Sequence, residues 1–272
     1  MYKEFYNFRE NPFNITADPD FFFSSVQHKE AMTHLVYGIQ QRKGIIAITG
    51  EIGTGKTTLC RTVLNQLDET IKTALILNPN FSDLQLLRLI LQDLGIRTSA
   101  RSKYDMIDAL NEFLLEETSA GNNVVVIIDE AQNLKVSQLE QVRLLSNLET
   151  EKEKLLQIVL VGQPELIDKL KLNQLRQLNQ RIAVRYHISS LTLDEMKNYI
   201  RHRLEKAQPP ADEDHRIRFT DEALEAIFHV SRGTPRMVNV LCDRALLAGY
   251  AAETFIIDHN IIHRCSREVG QK

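Results

Sequence analysis

A chain of 272 residues can bury a large core domain or a core with a smaller companion, and its 43% hydrophobic and 25% charged composition excludes a disordered or fibrous protein. The formal net charge of −3 leaves no global basic field of the kind non-specific DNA binding draws on. No apolar run approaches the roughly 18 residues of a membrane-spanning helix, and the start MYKEFYNFRENPF has none of a signal peptide's zones, so a soluble cytoplasmic chain is expected.

Along the chain, short β-branched apolar runs alternate with helical periodicity. They are GIIAITG at 44–50, TALILN at 73–78, NVVVIID at 123–129, LQIVLVG at 156–162 and AVRYHI at 183–188. Five strands with intervening helices imply a parallel sheet covered on both faces. After about residue 190 the strand signal vanishes, and helices are expected from Leu193 to Ala207, Asp221 to Ser231 and Pro235 to Ala252, with a short one from Asp258. Thr192 followed by Glu195 is a capping pattern, and Thr220 with Ala223 is a weaker one. Between the first two of these helices, KAQPPADEDHR at 206–216 joins two prolines to an acidic cluster and reads as a loop. The expected architecture is an α/β nucleotide-binding core over residues 1–190 and a small all-helical lid over 191–272. Cys60, Cys242 and Cys265 lack both paired spacing and matching histidines, so they read as reduced buried thiols.

GEIGTGKTT at 50–58 satisfies the phosphate-loop pattern G-x-x-x-x-G-K-[ST], directly after one strand and directly before a helical run. Gly50, Glu51, Ile52, Gly53, Thr54, Gly55, Lys56, Thr57 and Thr58 are therefore the expected binding residues for ATP. Glycines let backbone N–H groups face the phosphates, and the helix N-terminus adds partial positive charge. Lys56 is expected to reach the β and γ phosphates, and Thr57 to offer a hydroxyl to magnesium. NVVVIIDEAQ ends a buried strand in two carboxylates, which places Asp129 and Glu130 at the carboxyl edge of the sheet. Asp129 is expected to hold magnesium through water and Glu130 to orient or deprotonate the attacking water. Such a pair also arises as a plain helix N-cap; the phosphate loop upstream favours the catalytic reading.

Gln163 follows the strand LQIVLVG at the same edge, where it could sense the γ-phosphate or position water. LRQLNQRIAVRYHI at 175–188 carries Arg176, Arg181 and Arg185 where a helix gives way to the last core strand. Arg181 falls at the junction itself and is the candidate to reach a neighbouring subunit's γ-phosphate. In SRGTPRMVNVLCDRAL at 231–246, Arg236 projects from a helix N-terminus, an unfavourable place for a cation unless an anion lies nearby. Arg236 is therefore expected to report bound nucleotide to the helical domain.

Together, FYNFRENPFNITADPDFFF, ITGEIGTGKTTLCR, IIDEAQNL, VRLLSNLETEKEKLLQIVLVGQPEL, LNQRIAVRYHI and GTPRMVNVLCDRALLAGY resemble the ATPase domain of the general secretion pathway A (ExeA-type) proteins, a branch of the AAA+ ATPases. The likeness runs from residue 1 to about 255. It implies an ATPase with magnesium that serves a bacterial secretion, pilus or surface-polymer export system by nucleotide-dependent oligomerisation, in the cytoplasm and held peripherally at the inner membrane through a protein partner. It further implies that Asn11, Pro12 and Phe13 lie near the adenine, and that Arg181 and Arg236 match the family's arginine finger and second sensor. The cluster Phe21 to Phe23 and the helical region from Gln27 to Gln41 are expected to pack under the base. Longer members continue into a transmembrane helix and a peptidoglycan-binding domain; this chain stops at Lys272 with neither, so cell-wall binding is not carried over. Two other readings compete: a DNA-engaged AAA+ ATPase of the transposition-regulator type, and a nucleotide-dependent switch with negligible turnover.

Overall fold

The protein is described by a computed structural model covering residues 1–77, 79, 81–208 and 216–269. Most of the loop expected at 206–216 therefore lies outside the described residues, as does Asn78 at the end of the second expected strand. Two compact units make up the chain: Val26–Glu51 with Leu59–Ile188, and Met1–Ser25 with Ile52–Thr58 and Ser189–Lys272.

The first unit is built on five strands, β1 (Ile45–Gly50), β2 (Ile71–Ile76), β3 (Asn123–Ile128), β4 (Leu156–Gly162) and β5 (Ile182–Ile188). Their order is β2-β3-β4-β1-β5 and all pairings are parallel. Position in the sheet explains composition. The three inner strands β3, β4 and β1 are buried along their whole length and are mostly apolar, whereas the edge strand β5 mixes buried and exposed positions. Ile128 pairs with Leu160, Thr49 with Gly162 and Gly50 with Ile188, so the carboxyl ends of β3, β4, β1 and β5 fall within three residues of one another in register. Whatever follows those strands is delivered to one edge.

Helices α2 (Val26–Gln40), α4 (Asp83–Asp93), α5 (Lys103–Ser119), α6 (Val136–Leu145), α7 (Pro164–Leu170) and α8 (Arg176–Arg181) accompany the sheet. Leu86, Leu87, Ile90 and Leu91 of α4, with Met106, Leu110 and Leu114 of α5, join the strand residues in one core. Burying each such side chain contributes about 1.5–3 kcal/mol, the force that fixes these amphipathic helices to the sheet. Ser82 starts α4 by reciprocal capping: its hydroxyl accepts from Gln85 N–H at 3.3 Å and its own N–H donates to Gln85 Oε1 at 2.9 Å.

The second unit gathers α1 (Tyr2–Phe5), α9 (Leu193–Ala207), α10 (Asp221–Ser231), α11 (Pro235–Ala251) and α12 (His259–Val269). Thr192 and Glu195 cap α9 reciprocally, and the Thr220 hydroxyl accepts from Ala223 N–H at 3.2 Å to start α10. The C-terminal region is mostly, not wholly, helical: β6 (Arg218–Phe219) and β7 (Ile256–Ile257) pair in parallel. Arg218 N–H donates to Phe255 O and Thr220 N–H to Ile257 O, which ties the start of α10 to the stretch before α12. Two-residue strands are shorter than any hydrophobic period, so the expectation of an all-helical lid had no pattern to reveal them.

Sequence placed residues 1–190 in one domain, yet the first 25 residues pack with the C-terminal helices. Tyr6, Phe8, Phe13 and Phe21 share a core with Leu191, Met196, Ile200, Val238, Leu241 and Leu246. The Tyr6 hydroxyl, itself buried, lies within bonding distance of the carbonyls of Leu246 and Thr254 at 3.2 and 3.1 Å. Cys60, Cys242 and Cys265 are buried thiols, as expected.

One turn in this unit admits only glycine. Gly233 follows α10 at φ +73°, and a Cβ there would lie 1.9 Å from the carbonyl oxygen of Leu191. Gly233 O in turn accepts from Leu191 N–H at 3.0 Å. Gly233→Ala should therefore cost about 2–4 kcal/mol, because backbone rather than a flexible side chain must yield. Thermal denaturation should show the midpoint falling by roughly 5 °C or more, and an unchanged midpoint would contradict this packing.

Candidate nucleotide-binding site

β1 ends at Gly50 and helix α3 (Lys56–Leu64) begins six residues later, so the phosphate-loop sequence spans the strand-to-helix turn. Gly53 and Gly55 sit at φ +80° and +93°, which side-chain-bearing residues rarely adopt. Gly53 has a second reason to lack a side chain, since a Cβ there would lie 2.4 Å from Arg236 Cβ. Arg236 N–H donates to Gly53 O at 3.2 Å, which seats the first turn of α11 on the loop. The Arg236 side chain is exposed at that N-terminus. Lys56, only 6% exposed, opens α3, with Thr57 and Thr58 half-buried behind it. Thr54 is buried, whereas Glu51 and Ile52 are exposed. Backbone N–H groups at the start of α3 supply an anion-binding end beside the lysine.

At the carboxyl edge of the sheet, Asp129 and Glu130 leave β3 in different directions. Asp129 is 3% exposed, its N–H donates to Ile76 O at 2.9 Å, and its Oδ1 accepts from Glu130 N–H at 2.8 Å. Glu130 adopts φ 53° and ψ 36°, a left-handed conformation that costs a non-glycine residue about 1 kcal/mol and turns its side chain away from its neighbour. Glu130 Oε2 accepts two amide donors, Gln132 Nε2 at 2.5 Å and Gln163 Nε2 at 3.1 Å. Gln132 Oε1 then accepts from Gln163 N–H at 3.0 Å, which closes the cluster.

Sequence reading missed Gln132 and also Lys169, whose ammonium donates to the carbonyls of Gln132 and Leu134 at 2.5 and 2.8 Å and fastens the turn after β3. The only sequence signal was the polar run after the acidic pair. With one carboxylate oxygen held by two amides, Glu130 keeps a defined orientation.

Arg181 ends α8 immediately before β5 and is exposed, as is Arg176 at the other end of that helix. Arg185 is engaged inside its own unit, donating through Nη2 to Asn179 O at 2.5 Å and Asn179 Oδ1 at 2.7 Å. All three arginines are exposed, and Arg185 differs in that its guanidinium is bound to Asn179 of its own unit.

Asn11 is exposed, while Pro12 and Phe13 are buried in the core of the C-terminal helices. The aromatic cluster expected beneath the base packs on α9: Phe21 lies under the Arg203 guanidinium, 4.9 Å from its carbon, and Phe23 stands edge-on to Tyr199 at 5.9 Å. Helix α2, expected beside it, belongs to the sheet unit and packs along β5, where the Tyr186 hydroxyl donates to Glu30 Oε2 at 2.6 Å.

Thr57 presents a half-buried hydroxyl near the start of α3, and Asp129, in the sheet unit, presents a buried carboxylate; each is a hard oxygen donor of the type magnesium prefers. Among the described residues no group of three or more His, Cys, Asp or Glu could hold a metal ion.

The five-stranded parallel sheet, the glycine turn into α3 and the mostly helical C-terminal region define an AAA+ P-loop NTPase. Residues 39–170 match the AAA domain family. Over 274 aligned residues the chain is 41% identical to general secretion pathway protein A of Aeromonas hydrophila, covering 99% of this chain and 49% of that protein. The chain is homologous to general secretion pathway protein A, and it spans about half the length of that curated relative. In fold it is similar to the Aeropyrum pernix ORC2 protein in its ADPNP–ADP complexes, with a TM-score of 0.65, 16% identity, and 90% of this chain and 68% of that one covered. It is likewise similar to Drosophila ORC bound to DNA, with a TM-score of 0.68, 17% identity, and 97% and 67% covered.

Proposed function

We propose that this chain binds ATP with magnesium and hydrolyses it to ADP and phosphate, that turnover is completed between subunits, and that it supports assembly of a secretion, pilus or surface-polymer export system. The observation that carries the hydrolytic reading is the Glu130 carboxylate, held by Gln132 and Gln163 at the sheet edge where catalytic groups of α/β proteins gather. Gly50 to Thr58 would cradle the phosphates, with Lys56 on the β and γ phosphates. Glu130 would accept a proton from the attacking water while Gln163 fixes the carboxylate. Thr57 directly, and Asp129 through water, would hold magnesium, which when bound neutralises charge on the phosphate oxygens. Asn11, Pro12 and Phe13 would receive the adenine, and Arg236 would answer to bound nucleotide from the start of α11.

Arg181 is exposed at a helix-to-edge-strand junction and would act on the nucleotide of a neighbouring copy. A guanidinium supplied from another chain stabilises the charge of the transferring phosphoryl group and is worth about 10³–10⁵ in rate. The secretion reading rests on the 41% identity to general secretion pathway protein A. Attachment at the inner membrane through a protein partner is part of this reading; among the described residues no helix is long and apolar enough to cross a membrane.

ATPase rate measured against protein concentration, at fixed ATP and magnesium with and without DNA, tests this function. Specific activity should climb with concentration and ignore DNA. Strong DNA stimulation would favour the transposition-regulator reading, which the net charge of −3 disfavours. A negligible, flat rate would favour a binding switch. Arg181→Ala should depress the concentration-dependent rate by at least about tenfold while an isolated subunit still binds ATP; a binding defect instead would place Arg181 in its own subunit's site.

A further inference from the structure

Arg203 is a charged side chain that none of the functions above uses. It lies in the middle of α9, is 6% exposed, and has no carboxylate within ion-pair distance among the described residues. Burying a guanidinium costs several kcal/mol unless its donors are satisfied, so its partners reveal what the arrangement maintains. Nε donates to Pro12 O, and Nη2 donates to Asn14 O at 3.2 Å. Nη1 donates to the Tyr199 hydroxyl at 2.9 Å, and that hydroxyl donates to Asn239 Oδ1 at 2.7 Å. Asn239 Nδ2 returns to Asn14 O at 3.2 Å, closing a ring of hydrogen bonds on one carbonyl. The Phe21 and Tyr199 rings lie 4.9 and 5.6 Å from the guanidinium carbon and supply the π faces that stabilise a buried cation.

Two of these acceptors flank Phe13. The segment has no regular structure of its own, and a loop without ladder or helix bonds keeps one conformation only where side chains satisfy its carbonyls. Asn239 stands on α11 one helical turn beyond Arg236, whose N–H bonds to Gly53 of the phosphate loop. The same helix thus touches both the N-terminal segment and the phosphate loop.

We infer that Arg203 is the positioning residue for the base-binding segment Asn11–Phe13: with Tyr199 and Asn239 it locks the Pro12 and Asn14 carbonyls and links base recognition to the helix seated on the phosphate loop. This rests on the assignment of Asn11–Phe13 to the adenine. Arg203 touches neither phosphate nor water in this scheme, so it sets affinity for the base and not the rate of the chemical step.

The test compares wild type, Arg203→Met and Arg203→Lys for binding of ATP and of inorganic tripolyphosphate, for kcat and KM, and for photolabelling by 8-azido-ATP. Loss of the two charge-assisted hydrogen bonds on the segment should raise the Kd and KM for ATP about tenfold or more in Arg203→Met. Tripolyphosphate affinity and kcat should stay within about twofold of wild type, and Arg203→Lys, with a single donor group in place of the fork, should fall between. Equal losses for ATP and tripolyphosphate, or unchanged ATP affinity, would overturn the inference. Wild-type labelling on the peptide holding Asn11–Phe13, together with normal ATP affinity in both variants, would sink the role of Arg203 alone; labelling elsewhere would sink the base assignment itself. Should Arg203→Met fail to fold, Asn239→Ala, which removes one of the two donors on Asn14 O, is read by the same ratios.

Discussion

Lys56→Ala is expected to weaken ATP binding by about 100-fold and, with it, to silence turnover at working nucleotide concentrations. Lys56 opens α3 and is 6% exposed, so its ammonium is held among protein atoms and not extended into water. A charge-assisted bond to phosphate in such a place is worth about 1.5–3 kcal/mol, and each 1.4 kcal/mol is a factor of ten in affinity. The glycine turn and the helix N-terminus survive the substitution, so residual binding through backbone N–H groups should remain detectable at high nucleotide concentration. Titration calorimetry with ATP and magnesium measures the change directly. Wild-type affinity in Lys56→Ala would remove the phosphate-site assignment altogether.

Glu130→Gln should leave ATP affinity within about threefold and lower turnover by about 10²–10⁴, the contribution of a positioned general base. The amide has the carboxylate's shape, but it cannot accept a proton from water. Its immediate surroundings also change, because Gln132 Nε2 and Gln163 Nε2 both donate to one Glu130 oxygen. An amide that turns its oxygen toward them keeps both bonds and presents its NH₂ outward, so the fold around it should be preserved. The contrast with Lys56→Ala is diagnostic: one variant loses binding, whereas the other binds and stalls. Equilibrium binding with single-turnover phosphate release separates them, and full activity in Glu130→Gln would move the base to another residue.

Much of the sheet was legible because inner parallel strands carry their burial in composition. NVVVIID and LQIVLVG read as strands since both faces of β3 and β4 are covered, and the structure places them within a residue of the expected bounds. Arg181 could be placed at a helix-to-strand junction because that boundary is a local change of period. The glycines of the phosphate loop announce positive φ by residue type, as Gly53 and Gly55 show. Glu130 carried no such signal, since the same left-handed backbone arises there in a residue that ordinarily avoids it.

The N-terminal segment shows where local reading stops. Its aromatic residues announce burial, but nothing in FYNFRENPF states that their partners are Met196, Ile200 and Leu241, or that Arg203, 191 residues away, donates to Pro12 O. Likewise Gln132 and Lys169 each look like ordinary polar surface residues; their bonds join positions 31 and 37 residues apart. Hydrophobic period and turn chemistry describe which face of an element is buried and where it ends. They are silent on which distant group a polar side chain will meet, because that depends on chain crossings that only the assembled layers define.

The sequence by itself determined the strand-and-helix alternation, the glycine turn with Lys56 and Thr57 at the head of a helix, and the acidic pair at a strand's end, since each is a matter of neighbouring residues obeying backbone sterics and burial. Only the tertiary structure decided that Met1–Ser25 packs with the C-terminal helices, that Glu130 is gripped by two glutamines, that β6 and β7 pair, and that a buried arginine holds the Pro12 and Asn14 carbonyls. Apart from the Glu130–Gln132 bond these are long-range pairings, fixed by which apolar faces close on one another and which polar groups must then satisfy one another.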